Sequence, residues 1–456
     1  MPYVTSTKFI DDMPIHPGVF GTFSPGESVF VSESVRHFYV GNPDFTIDDS
    51  LSLAAVNARL GAVQKIAQFA SALKRKRTFD SAVMSSPPTF AESADFASGS
   101  IAGAVFVSLG SSNIYKSTPL FAAYSGQGRD VYKPSPGAGS GTFFSFATDA
   151  QAFEIDLQTG GFGIPILLIV DGEFASATAY NGTPPASGNI RRQWKFTFPT
   201  KKIRHIQVLN SGIYNGIAGI FVGPRDVVIP WNPGLDGGLV AISDSYGGFA
   251  YGAVPHGGPA IGLIDAAGYA AAVQQYGGSG YYATNGFNGY EDRLRANIAA
   301  QAKTPAIVYT AGGINDPQSA LTTKAAIDSY FSYCAASVPD ALHIVMGPWC
   351  PKQSYINGTD KYTEITSWIN SALRNSGLKY YIFLDTVAGG WETGWGTSRT
   401  GSEPWITGSG YVGGTTGTGN ADIYISNDQT HPSSDGVEYL LRRTDSEVVH
   451  ALSTLI

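Results

Sequence analysis

Charge, sulfur and long apolar runs are all scarce in this chain. Only 14% of its 456 residues are Asp, Glu, Lys or Arg, against 43% that are hydrophobic. A disordered chain shows the opposite balance, so a globular protein is expected. Cysteine occurs twice, as Cys334 and Cys350, which is too few for a disulfide framework at this length. The two lie in neighbouring elements of one domain, so a single bridge and two unpaired buried thiols are both open. No Cys/His cluster has the spacing of a zinc site. Runs of about 18 apolar residues are lacking, which argues against a membrane-spanning helix. The start Met1-Pro2-Tyr3-Val4 also lacks the basic and apolar segments of a secretory signal. Basic residues are outnumbered, 29 Lys and Arg against 36 Asp and Glu, giving a net charge of −7. That balance disfavours nucleic acid or an anionic membrane as the main partner and suits a neutral, sugar-like one.

What the chain does have is glycine and aromatic rings: 55 Gly, 24 Tyr and 25 Phe. This is the profile of a β-rich, loop-rich protein, and its length calls for two or three domains. Residues 1–80 begin with Pro and Gly punctuation and short strands, followed by a helix expected over 47–77. Ile47-Asp48-Asp49-Ser50 offers N-cap chemistry, and Lys74-Arg75-Lys76-Arg77 suits a helix C-terminus. Leu53, Val56, Leu60, Val63, Ala67 and Ala70 recur in steps of three and four. They form either a face packed on the helix's own domain or a short seam for a homo-oligomer.

From residue 81 to 232 the period becomes two. Phe153, Ile155 and Leu157 alternate with Glu154 and Asp156; Trp194, Phe196 and Phe198 alternate with Lys195 and Thr197; Ile206 and Val208 follow. Further apolar runs at 104–107, 120–124, 164–170 and 217–222 are separated by turn residues. The spacing predicts an antiparallel β-sandwich of jelly-roll type, whose alternating aromatics belong in its core rather than on a sugar platform. From 233 to 456 strand and helix patterns alternate. Strands are expected at 239–242, 306–309, 342–346 and 380–384, and helices at 261–275, 320–336, 362–374 and 436–443. Such alternation implies a parallel sheet covered on both faces, with its strand ends on one rim.

Three short segments fall on that rim: Ser243-Asp244-Ser245, Gly312-Gly313-Ile314-Asn315-Asp316, and Asp428-Gln429-Thr430-His431-Pro432. A lone serine in a glycine-rich turn is ordinarily a turn residue. A nucleophilic serine needs a base within hydrogen-bond reach and a carboxylate to hold that base's tautomer. His431 and Asp428, three residues apart in one loop, can supply both. Acyl transfer also needs donors aimed at the developing oxyanion. The Ser245 N–H, the Asn315 amide and the glycine-rich loop Gly277-Gly278-Ser279-Gly280 are candidates. Asp244 and Asp316 fit better as buried hydrogen-bonding residues that shape the turns. This chemistry requires no metal or other cofactor.

The ordered set resembles the SGNH (GDSL-type) hydrolase superfamily over roughly residues 236–450. Asp244 and Ser245 match its Gly-Asp-Ser block with Ser243 in the glycine's place, Gly313 to Asp316 match Gly-x-Asn-Asp, and Asp428 to Pro432 match Asp-x-x-His-Pro. The resemblance implies Ser245 as nucleophile, His431 as base and Asp428 as its orienter. It implies an oxyanion hole of Ser245, Asn315 and a second-block glycine, Gly278 before Gly280. It also implies an α/β fold: an SGNH-like three-layer α/β/α domain behind an antiparallel β-sandwich and a short N-terminal segment with one helix.

A long Gly/Thr/Trp segment precedes His431 and carries Trp391, Trp395, Trp405 and Tyr411. These aromatics either contact a sugar or acyl group or only anchor the loop. A jelly-roll-like module before an SGNH-like domain looks like the layout of esterases that deacetylate polysaccharides, including some on phage tails. The leading expectation is therefore a serine esterase that releases a small acyl group, acetyl foremost, from a glycan, in an extracellular or virion-associated setting. A lipase or thioesterase for longer chains is one rival. A glycan-binding adhesin with a vestigial hydrolase domain is the other.

Overall fold

The computed structural model describes residues 3–6, 10–16, 19–23, 28–30, 45–48, 53–74, 84–93, 99–116, 121–124, 131–134, 142–159, 165–176, 179–181, 190–210, 216–232, 234–247, 261–268, 270–284, 286, 288–301, 303–317, 320–349, 361–386, 410–414, 416–417 and 420–455. The chain divides into two compact units, residues 1–64 and 65–456. In the first, Tyr3–Ser6 is flanked antiparallel by Ser28–Phe30 and Phe45–Asp48, and Ile10–His16 pairs with Val19–Phe23.

The helix expected over 47–77 is Leu53–Lys74; of the predicted face, Ala70 is buried while Val63 and Ala67 are not. Ala62, Ile66, Phe69, Ala70 and Leu73 are buried, whereas Val63 is 43% exposed and Ala67 is exposed too. The three-and-four spacing survives, but it follows the row that carries Ile66, Phe69 and Leu73, which removes more apolar area from water than Val63 and Ala67 would. The side chains of Leu53, Val56 and Leu60 lie outside the described residues.

The second unit opens with two seven-stranded antiparallel sheets. One runs in the order Thr89–Ser93, Ile190–Thr197, Ala152–Thr159, Gly216–Val222, Val131–Pro134, Phe121–Tyr124, with Val105–Ser108 also on Gly216–Val222. The other runs Glu173–Phe174, Pro165–Val170, Arg204–Asn210, Thr142–Thr148, Val228–Pro230, with Tyr180–Asn181 also on Pro165–Val170 and Tyr115–Lys116 on Thr142–Thr148. Their facing residues make one core: Phe153, Ile155, Leu157, Trp194 and Phe196 from the first sheet against Phe144, Phe146, Ile166, Leu168, Ile206 and Val208 from the second. The alternation read from the sequence thus marks the inner faces.

The second sheet is buried on its outer face as well, where Phe143, Leu167, Ile169 and Leu209 join a cluster that includes Ile66, Phe69, Leu263, Ile264 and Ala267. A strand covered on both sides reads as a continuous apolar run. That is why 164–170 did not alternate.

The C-terminal part is a five-stranded parallel sheet in the order Ala271–Gln275, Leu239–Ser243, Ile307–Ala311, Leu342–Met346, Tyr381–Leu384. Leu239, Ala241, Ile307 and Tyr309 face a layer with Leu263 and Ile264 of helix Ile261–Ala266 and Leu440, Val448 and Leu452 of helix Ser434–Leu455. Val240, Ile242 and Val308 face the opposite layer, with Leu294 of Tyr290–Ala300, Phe331 of Leu321–Ser337 and Ile369 of Lys361–Asn375. The expected three-layer α/β/α domain behind an antiparallel sandwich is what the chain forms.

One expected element is corrected. Residues 261–275 are not one helix: the helix stops at Ala266, Gly268 takes a φ of +71°, and Ala271–Gln275 is a wholly buried strand. Alanine and glutamine favour helix locally, but pairing with Leu239–Ser243 along the sheet edge outweighs a propensity of a few tenths of a kcal/mol per residue. Helix Tyr290–Ala300, which follows it, was not anticipated.

Candidate active site

Three neighbouring strands end level, because Ser243 lies opposite both Gln275 and Ala311. Ser245 lies two residues beyond its strand, Gly278 three beyond the next and Asn315 four beyond the third. Small turns at level carboxyl ends thus bring Ser245, Gly278 and Asn315 to one rim. The chain leaves Leu239–Ser243 for the edge strand and then crosses back to Ile307–Ala311. Ser245 therefore stands at the switch point, where open α/β sheets leave a crevice.

Ser245 begins a short 3-10 turn, Ser245–Gly247, and is 8% exposed. Its Oγ lies 2.9 Å from His431 Nε2, and His431 Nδ1 lies 2.6 Å from Asp428 Oδ2. An ionised carboxylate only accepts, so Nδ1–H donates to Asp428 and Nε2 is left to accept from the serine. Asp428 Oδ1 also accepts from Ser426 Oγ at 2.6 Å and from the N–H groups of Thr430 and His431, each at 2.9 Å. Partial burial pushes this carboxyl up, but the hydrogen bonds from Ser426, His431 and Thr430 outweigh it and hold the group well below the usual carboxylate range.

The turn that presents His431 is tight. Gln429 takes a φ of +63°, Ser426 N–H donates to His431 O at 2.8 Å, and Ile425 bridges Pro432. Tyr246, next to the nucleophile, donates its hydroxyl proton to Thr430 O and stacks on Trp349 at 5.8 Å.

The 277–280 loop is arranged around its backbone donors. Gly278 takes a φ of +75°, open to glycine at little cost, and its N–H has no partner among the described residues. The Gly280 N–H is already given to Ala283 O at 2.7 Å, which favours Gly278 of the two glycines. Asn315 Nδ2 donates one proton to Ser279 O at 2.9 Å and keeps a second. Asp316 is fully buried and accepts from the N–H groups of Tyr281, Tyr282 and Ala283 at 2.8–2.9 Å, tying the stretch after the 277–280 loop to the 312–316 segment. Gly313 takes a φ of +117°, and a Cβ there would meet Ile365 at 2.9 Å.

Asp244 is fully buried and accepts from Tyr246 N–H at 2.9 Å through one oxygen, and its other oxygen has no partner among the described residues. Burial raises this carboxyl to about 7; the Tyr246 N–H opposes the shift, and the nearby Asp316 charge adds to it. Ser243, where the family pattern has glycine, is 1% exposed and sits at the end of a regular strand. Its backbone needs no left-handed conformation, so a Cβ is tolerated.

Of the remaining candidates, Trp391, Trp395 and Trp405 lie outside the described residues, as does Cys350. Cys334 is buried and has no disulfide partner among the described residues. Tyr411 is partly buried against the apolar cluster, and the next residue, Val412, donates its N–H to Ile425 O at 2.8 Å, beside the His431 turn.

Sequence reasoning missed Gln275, whose Nε2 donates to Ser245 O at 3.1 Å. It also missed Arg293, buried beneath the site. The signal for the helix that carries Arg293 was present, in Glu291 and Asp292 of its first turn.

No family model matches the sequence, and no curated protein matches it. Among solved structures, the chain is similar to the salicylyl-acyltransferase SsfX3 of a tetracycline biosynthetic pathway, with 12% identity over 77% of this chain and 98% of that one and a TM-score of 0.55. It is also similar to a family two carbohydrate esterase from Clostridium thermocellum in complex with cellohexaose, with 16% identity over 75% and 99% of the two chains and a TM-score of 0.47. The acetyl xylan esterase Est2A from Butyrivibrio proteoclasticus gives 13%, 81%, 99% and 0.44 in the same order. The 12% identity to SsfX3 marks a shared fold alone, an antiparallel β-rich module and a parallel α/β domain.

Proposed function

We propose that the protein is a serine esterase that removes a small acyl group, acetyl foremost, from a carbohydrate through an acyl-enzyme intermediate. The observation that carries this reading is the unbroken chain Ser245 Oγ, His431 Nε2, His431 Nδ1, Asp428 Oδ2 at 2.9 and 2.6 Å. In the proposed reaction Ser245 Oγ attacks the ester carbonyl while His431 Nε2 takes its proton, and Asp428 holds the tautomer and the imidazolium. The oxyanion is received by the N–H groups of Ser245 and Gly278 and by the second Asn315 amide proton. His431 then returns the proton to the sugar hydroxyl as it leaves. A water deprotonated by His431 releases the acid and restores Ser245.

Residues 81–232 serve in this reading as an accessory module, and 233–456 as the hydrolase domain. Tyr411, together with Trp391, Trp395 and Trp405, is assigned to the substrate side, and the N-terminal helix to a homo-oligomer. An acylated polysaccharide outside the cell, or one met by a virion, is the proposed setting. The low charge and net −7 suit such a neutral partner.

Ser245→Ala should abolish hydrolysis of a short-chain nitrophenyl ester, leaving a residual rate lower by about 10³ or more, while circular dichroism stays unchanged. Retained turnover would reject the assignment. Acetate release from acetylated glycans then tests the substrate. A chain-length series with an optimum at eight or more carbons would favour the lipase or thioesterase reading. Release only with an added acceptor alcohol would mark a transferase, the activity that the name of SsfX3 carries.

A further inference from the structure

Beneath the proposed nucleophile lies a cation that the mechanism above does not use. Arg293, on helix Tyr290–Ala300, is 3% exposed. Its Nη1 donates to Ser243 O at 3.1 Å and to Gln274 O at 2.8 Å, the carboxyl ends of two adjacent strands. Its Nη2 donates to Ser279 Oγ at 3.0 Å. Ser279 in turn gives its hydroxyl proton to Tyr276 O at 2.8 Å and receives the Asn315 amide on its carbonyl at 2.9 Å. The guanidinium lies 4.7 and 4.6 Å from the ring centres of Tyr276 and Tyr290. One rigid fork therefore links the strand that presents Ser245, the strand that leads to Gly278, and the residue after Gly278.

A buried guanidinium carries a large desolvation cost, so surviving there requires good geometry on several acceptors. A lysine could not span the three acceptors as a planar fork does. Helix packing alone would not need a cation at this position. Three acceptors at the roots of two candidate catalytic segments give it a geometric task.

We infer that Arg293 is a positioning residue: it fixes the Gly278–Ser279 turn against Ser245, so that the Gly278 N–H and the Asn315 amide meet the oxyanion at the right distance. The inference rests on the serine-hydrolase reading. It makes no contact with substrate and takes no proton. Its effect belongs to the rate of acylation rather than to ground-state binding, because donor misplacement of about 1 Å costs about 10²-fold in rate.

The test combines ester kinetics with covalent labelling by a fluorophosphonate, which needs only a nucleophile and an oxyanion hole. Wild type, Ser245→Ala, Arg293→Met, Arg293→Lys and Ser279→Ala are compared, with thermal unfolding of each. Arg293→Met is expected to lower kcat and the labelling rate by about 10- to 100-fold with KM within about twofold. The shape of the pH–rate profile should be unchanged, since His431 and Asp428 are untouched. Arg293→Lys should recover part of the loss.

If Arg293→Met does not fold, Ser279→Ala carries the test: it removes one acceptor of the fork and should slow labelling several-fold at unchanged KM. Wild-type labelling rates in a folded Arg293→Met, or in Ser279→Ala, overturn the inference. So does a loss that appears in KM alone. An unlabelled wild type, by contrast, rejects the serine-hydrolase reading itself.

Discussion

Two buried titratable side chains have opposite effects on stability. Asp244, raised to about 7 by burial, keeps its proton in the folded chain while the unfolded chain loses it near 4, so folding stability falls as pH rises from about 4 to about 7. His343, buried and lowered to about 4, stays neutral when folded while the unfolded chain takes up a proton near 6.5. Its contribution is complete above about 6.5 and is lost as pH falls towards 4. Each amounts to about 3–4 kcal/mol, and across the shared window they cancel. Wild type should therefore show nearly equal urea midpoints at pH 4.5 and 6.5. Asp244→Asn should become more stable as pH rises over that interval, and His343→Gln less stable. Flat behaviour in both variants would refute the assignment. Asp428 tests the tautomer argument: Asp428→Asn should lower kcat on a nitrophenyl acetate by about 10²–10⁴-fold. A variant that keeps a tenth of the rate would leave Asp428 only its role in shaping the 426–431 turn. The juxtaposition of Ser245, His431 and Asp428 was legible because the proposed chemistry needs partners of fixed type. Arg293 was not, since nothing local distinguishes a buried arginine from an exposed one.

At the scale of elements, alternation identified the sandwich strands but not what covers their outer faces. Glu154 and Asp156, opposite the core residues of Ala152–Thr159, are 1% and 0% exposed. Glu154 accepts from the Ser100 N–H at 2.9 Å, and Asp156 from Arg191 Nε and Nη2 at 2.9 and 2.6 Å. Removing one partner of such a pair leaves a buried charge. Arg191→Met should cost about 3–5 kcal/mol in denaturant unfolding, and the double change with Asp156→Leu should recover much of it. Equal losses in the single and double variants would show that the ion pair is not the source. The strand Ala271–Gln275 failed as a sequence reading for a related reason. Its alanines carry a helical preference, and only its place beside Leu239–Ser243 makes an extended backbone the better state.

Over the whole molecule, the sandwich and the parallel-sheet layers are not beads on a string. Residues 65–456 form one compact unit, and Gln207 of the sandwich donates to Gly268 O at 3.1 Å within a continuous apolar cluster. Calorimetry should accordingly give a single transition for these layers, and a fragment beginning at residue 234 should expose Leu263, Ile264 and Ala267 and aggregate. A soluble fragment with the full-length midpoint would contradict this. The sequence by itself determined the period of each region, and hence a sandwich followed by a parallel sheet. It also singled out Ser245, His431 and Asp428, which lie within hydrogen-bond reach of one another, because hydrophobic period and reactive side chains are local properties. Only the tertiary structure decided which face of Leu53–Lys74 is buried, that 271–275 is a strand, and that Arg293 joins two strand ends beneath Ser245. Each of these depends on what lies opposite in space, which no local pattern encodes.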